Sequence, residues 1–229
     1  MSVPAERLAE LAERYGMVDY ANDLREAARR NRERGGLEKF PHPVWKRKID
    51  NFIDLGFHSE LGQSEIEYRR SLALPEGVVQ PEAYKGRFDL LIPVEGRIPL
   101  KRQYELAGIR EWIDTGKITN ITPILDGPFA IWTHDARRYR PYSVEQAIKQ
   151  FKDDEVGSPQ IEVIALYLQY PEFFRDQGVA AAGSRDECDR APELYMFAGE
   201  PEANASWIGH RDQRWGALSR GKEIINLGA

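Results

Sequence analysis

One cysteine, Cys188, is all that the 229 residues contain. No internal disulfide can form and no multi-cysteine metal site can be built. The residue stands in SRDECDRA, where the surrounding carboxylates disfavour a reactive thiolate. An excess of positive charge is missing too: 32 lysines and arginines face 37 aspartates and glutamates, a net charge of -5. Such a chain has no general attraction for nucleic acid or for an anionic membrane surface. Apolar runs are short, as in VIAL, so no segment is expected to cross a bilayer as a helix. The opening MSVPAERLAELAER is too acidic and polar for a signal peptide, and the expected location is the cytoplasm.

The common catalytic and cofactor signatures are absent as well. There is no P-loop, dinucleotide fingerprint, EF-hand pattern, HExxH or HxH, and no G-x-S-x-G around Ser184. No cofactor and no metal are therefore expected.

What is present is a well-patterned chain with 41% hydrophobic residues, enough for one domain with a sizeable core. Residues 1–40 read as an N-terminal helical arm. Leu8, Leu11, Ala12 and Tyr15 make one apolar stripe, Met17, Tyr20, Ala21, Leu24 and Ala28 a second, and Gly35-Gly36 a stop. Its arginines form a basic face diluted by Glu26 and Glu33, read as solvated. Residues 41–229 read as a single domain. PHPVWKRKIDNFIDLGF is a core-facing helix, and SEIEYRRSL a short one with a Ser64/Glu67 capping box. RFDLLIPV is a strand ending at Pro93, PLKRQYELAGIREWID a helix, and NITPILDGPFAIWTHD one or two strands. SVEQAIKQF carries a Ser143/Gln146 capping box. SPQIEVIALYLQYP has Ser158 as cap, Pro159 in first helical position and Pro171 as terminator. KDDEVG between them reads as a solvated connection. The last third, with GVAAAGS, ELYMFAG and ASWIGH, predicts a small antiparallel sheet. The fold class that follows is α+β: a helical arm, then a mixed, mainly antiparallel sheet packed with helices.

In segment order and spacing, IDNFIDLGFHSELG, ILDGPFAIWTHD, YSVEQAIKQF, EVIALYLQYPEFF, GSR and APELYMFAGEP, with two tryptophan-centred segments, carry a likeness. The chain resembles an uncharacterised bacterial family, a domain of unknown function common in high-GC genomes, over roughly residues 49–221. The resemblance implies a glycine-serine-arginine turn at Gly183, Ser184 and Arg185, then Pro192 and Leu194, then tryptophans at Trp207 and Trp215. It implies a counterpart for Asp135 but none for His134. It implies no reaction.

Three stretches hold the chemical candidates. In WTHDARRY, His134 is a candidate general base beside Asp135, with Trp132 as an aromatic wall; the alternative is that Asp135 simply starts a turn. A strand running to Asp135 would set the two on opposite faces, so a dyad needs the strand to end at Thr133. In WIGHRDQRW, His210, Arg211 and Asp212 lie between Trp207 and Trp215, a mixture that suits an anionic or aromatic ligand. The alternative there is a hairpin turn with tryptophans on the core. Ser184 and Arg185 could together bind a small anion through backbone N–H groups and a guanidinium. Catalytic candidates are thus His134, Asp135 and His210, and ligand-binding candidates Trp132, Ser184, Arg185, Trp207 and Arg211. Two functions remain: a non-catalytic binding or accessory protein whose arm mediates homo-oligomerisation or partner docking, or a cofactor-independent lyase, isomerase or cyclase.

Overall fold

The computed structural model describes residues 13–14, 22, 25 and 42–227. The apolar stripes expected of the N-terminal arm lie outside the described residues. In chain order the first half comprises α1 (His42–Asp54), α2 (Phe57–Glu60), α3 (Glu65–Ser71), β1 (Leu90–Glu95), α4 (Leu100–Leu106), β2 (Arg110–Glu111), β3 (Thr119–Asn120) and β4 (Pro128–Thr133). The second comprises α5 (Val144–Ile148), β5 (Glu155–Gly157), α6 (Gln160–Gln169), β6 (Gly178–Ala181), β7 (Ser184–Arg185), β8 (Arg190–Phe197), β9 (Glu200–Trp207) and β10 (Trp215–Asn226). Eight strands form one mixed sheet in the order β1-β4-β10-β6-β8-β9-β2, with β5 also on β10, while β3 pairs β7 separately. Only β10 with β6 and β2 with β9 run parallel. The architecture is α+β with a mainly antiparallel sheet. No helix among the described residues is long and apolar enough to cross a membrane.

Alternation along the strands separates two cores. Ala181, Leu194, Ala203 and Leu218 join the main core under α1 and α6, whereas Ala182 and Ala217 join a small cluster with Tyr139 and Ala147 beneath α5. The main core is the larger because α6 buries Ile161, Val163, Ile164, Ala165, Leu166 and Leu168. Each large aliphatic side chain contributes on the order of 1.5–3 kcal/mol by leaving water. In α1, Val44, Ile49, Phe52 and Ile53 are buried, as their spacing predicts. Both capping boxes form: Glu67 N–H donates to Ser64 Oγ, and Gln146 N–H to Ser143 Oγ, with the reciprocal backbone bonds.

Several expectations need correction. The strand expected to stop at Pro93 runs on to Glu95; β1 is the sheet edge, so a residue without an N–H breaks no ladder bond there. The helix expected over residues 99–114 ends at Leu106. Gly108, at φ 65, turns the chain, and Arg110–Glu111 pair with β9 instead. Ser158 does not cap α6. Pro159 takes the cap position, and the Gln160 N–H donates across the fold to Ser184 Oγ at 3.0 Å. KDDEVG is not a solvated connection either, because Glu155 is buried within β5. The last third is not a separate sheet: β6, β8, β9 and β10 belong to the main one. WIGHRDQRW is not a hairpin, since β9 and β10 are separated by β8 and β6, and the segment crosses over both.

Candidate active site

That crossover creates a cleft. β9 ends at Trp207 opposite Arg190, the start of β8, and β10 begins at Trp215 opposite Gly178, the start of β6. Residues 208–214 therefore bridge one end of the sheet. They are tied down by the Glu145 N–H, which donates to the Ile208 carbonyl at 3.0 Å. Between this bridge, the entry to α5 and the sheet lies a narrow cleft of about 20 Å³, room for a single water-sized group. Its floor is made of small side chains, Ala180, Ala191 and Ala217, which is why space remains there. Its walls are Tyr142, Trp207 and Trp215. Gly178 is needed beneath the last of these, because a Cβ there would fall inside the Trp215 ring.

Glu193 enters the cleft from the middle of β8. Only 5% of the residue is exposed. Its Oε1 accepts a 2.8 Å hydrogen bond from Ser206 Oγ, and its Oε2 accepts none among the described residues. Burial pushes its pKa up to about 7; the Ser206 bond works against that, and the Asp212 carboxylate adds to it. Asp212 behaves oppositely. The Arg214 guanidinium donates to its carboxylate, and with a bond from the Arg214 N–H holds it down to about 2. His210 also lines the cleft, so two carboxyls with well-separated titrations and an imidazole face one small space walled by aromatic rings.

Trp207 and His210 are thus brought together, with Arg211 lining an adjoining depression. The other candidates lie elsewhere. β4 does end at Thr133, as a dyad requires, yet both ring nitrogens of His134 are engaged by other groups. Nδ1 accepts the Ala136 N–H at 2.9 Å, so Nε2 carries the proton and donates to Ser219 Oγ at 2.8 Å. Ser219 donates to Glu155 Oε1 at 2.5 Å, where Tyr139 also donates at 2.7 Å, and Arg87 reaches Oε2 at 3.0 Å. Burial pushes the His134 pKa down to about 4, which keeps the imidazole neutral. Burial would raise Glu155, but the bonds from Ser219, Tyr139 and Arg87 outweigh it and leave it lowered.

No family model matches the chain, and no curated protein or solved structure does either. The assignment of roles therefore rests on geometry.

Asp135 accepts from the Arg137 N–H at 3.1 Å, the bond of a turn-starting aspartate. Trp132 is buried in the main core. Ser184 Oγ takes the α6 N–H and donates to Asn120 Oδ1 at 2.8 Å. Arg185 spends Nη1 on the Ala182 and Ser184 carbonyls, and burial lowers its pKa despite nearby Asp189. None of these four lines the cleft. Glu193, Ser206 and Tyr142 line the cleft and are not among the candidates read from the sequence. The available signal was the alternation in APELYMF, which places Ala191, Glu193 and Tyr195 opposite the core residue Leu194. Among the described residues no group of His, Cys, Asp and Glu is arranged to hold a metal ion.

Proposed function

We propose that the chain is a small-ligand-binding protein whose site is the Glu193 cleft, and that the group it anchors is a cation rather than an anion. The observation carrying this reading is the free Oε2 of a carboxyl that is otherwise buried, set among Tyr142, Trp207 and Trp215. Two carboxyls and no lysine or arginine line the cleft. Aromatic faces attract cations, and the effect grows when the cation loses water. An anionic ligand, suggested by the arginines of the sequence, suits this lining poorly.

Calorimetric titration with butylamine at about pH 8, where Glu193 is ionised and the amine protonated, tests the reading. Saturable binding that is lost in Glu193→Gln, and also in Ala191→Val, which fills the floor without removing a functional group, would support it. Equal binding by all three proteins would sink it.

A second reading uses the same cleft. The separation between Glu193, near 7, and Asp212, near 2, is the pattern of a proton donor beside a permanent carboxylate. On that reading the protein is a cofactor-independent acid-base enzyme with Glu193 as the proton carrier and His210 beside it. Turnover with a pH profile bending near 7 and abolished by Glu193→Gln would favour it over simple binding.

A cytoplasmic location and self-association through residues 1–40 are parts of the same proposal. Light scattering on the full chain and on one beginning at Pro43 tests the second; equal oligomeric state would contradict it.

A further inference from the structure

Tyr142 is shared by two depressions of opposite character. The inner cleft carries the carboxyls of Glu193 and Asp212. The outer depression, far more open at about 420 Å³, carries Lys149 and Arg211 with Gln146 and Gln150, and no carboxylate lines it. Neighbouring residues of the crossover divide between them, His210 facing inward and Arg211 outward. Lys149 is partly neutralised by Glu145 at 2.7 Å, whereas Arg211 forms no ion pair among the described residues. The sign of the lining charge therefore reverses across one tyrosine ring.

We propose that the ligand is a small zwitterion, its primary ammonium group held at Glu193 and its carboxylate at Arg211, with the connecting chain lying along Tyr142. This rests on the proposed binding function and adds the ligand class. The inner cleft admits one water-sized group, which a primary ammonium matches and a quaternary one does not. An ammonium donates most strongly to carboxylate oxygen, and the Tyr142 and Ser206 hydroxyls and the His210 imidazole in that lining offer it further acceptors. The outer depression has the room and the donors for a carboxylate, and a guanidinium receives it with two parallel N–H groups. A ligand with only one charge would leave one of the two depressions unused.

Calorimetry at about pH 8 with γ-aminobutyrate, δ-aminovalerate and ε-aminocaproate, each set against the amine and the carboxylate of equal chain length, tests it. The amino acid of the best length should bind about 10-fold or more tightly than its amine, because the second contact is made intramolecularly. Arg211→Ala should bring that amino acid down to the affinity of the amine, and Glu193→Gln should weaken both. Arg211 is exposed, so its loss should leave the fold intact. If the amine binds as tightly as every amino acid, or if Arg211→Ala leaves the gain in place, the zwitterion is overturned while the cleft stands as a cation site. If neither amine nor amino acid binds, both fall.

Discussion

Ser206 on β9 donates its hydroxyl to Oε1 of Glu193 on β8, a diagonal neighbour, at 2.8 Å. That single bond satisfies one carboxyl oxygen and leaves the other turned to the cleft. A buried carboxyl with so few donors is pushed toward its protonated form by desolvation, as buried Glu162 also is, whereas the bonds around buried Glu155 hold that carboxyl low. Glu155 has four groups around it, and Glu95 accepts two bonds from the Arg97 guanidinium. Glu193 has one neutral donor.

The first prediction concerns Glu193 and stability. Its pKa is raised from an ordinary 4.5 to about 7 in the folded chain. The folded state therefore holds a proton that the unfolded state has released between those values. This contribution is complete below about 4.5 and is lost as pH rises through about 7, at about 1.4 kcal/mol per unit. Glu193→Gln keeps an acceptor for Ser206 and carries no charge. It should match the parent protein in the acid range and exceed it by up to about 3 kcal/mol above neutrality, measured by urea unfolding across pH.

Lys48 titrates with the opposite sign. It is buried in α1, where Nζ donates to the Leu91 carbonyl at 2.5 Å and to Tyr170 Oη at 2.8 Å, and burial lowers its pKa to about 7 from 10.5. Between those values the unfolded chain binds the extra proton, so stability should rise with pH across that window. The difference between parent and Lys48→Met should therefore grow by several kcal/mol on going from neutral to alkaline solution. A difference independent of pH would contradict the burial argument.

His134 should prove to be a structural residue. With Nδ1 and Nε2 both bonded and its pKa depressed to about 4, it supports the fold above an ordinary 6.5 and loses that support as pH falls through 4. Ser219→Ala, which removes the link between His134 and Glu155, should cost about 2–3 kcal/mol by orphaning buried polar groups. Butylamine binding should be unchanged in that variant. A loss of binding without a loss of stability would move the site to the histidine.

These positions also mark how far the sequence could be read. The capping boxes at Ser64 and Ser143, and the apolar stripe of α1, were legible because each depends on residues within one or two helical turns. The α6 cap was not, because its acceptor, Ser184, lies 24 residues away. The aspartate-histidine pair stands out in the sequence because the two polar residues are adjacent. The bonds that occupy His134 come from Ala136 and from Ser219, 85 residues distant. WIGHRDQRW is a dense constellation in the sequence, yet Glu193, which shares the cleft with it, belongs to a strand that only the crossover topology places beneath it.

A fourth prediction tests the buried pair under that sheet. Arg220, 2% exposed, donates to Glu162 Oε1 at 2.7 Å and to the Gly221 and Pro123 carbonyls. It thereby fixes β10 to α6. Arg220→Met alone should cost about 3–5 kcal/mol, whereas the double change with Glu162→Met should recover much of the loss, since no uncompensated charge is then buried. Additive losses in thermal or urea unfolding would show that the two residues act independently.

The cleft itself is tested most directly by a carbon-NMR titration of the Glu193 carboxyl, with and without saturating butylamine. In the free protein the midpoint should lie near about 7. A bound ammonium favours the ionised carboxyl, so the midpoint should fall by about one unit or more. A midpoint that stays in place when butylamine saturates the protein would contradict the assignment of Glu193 as the ligand anchor.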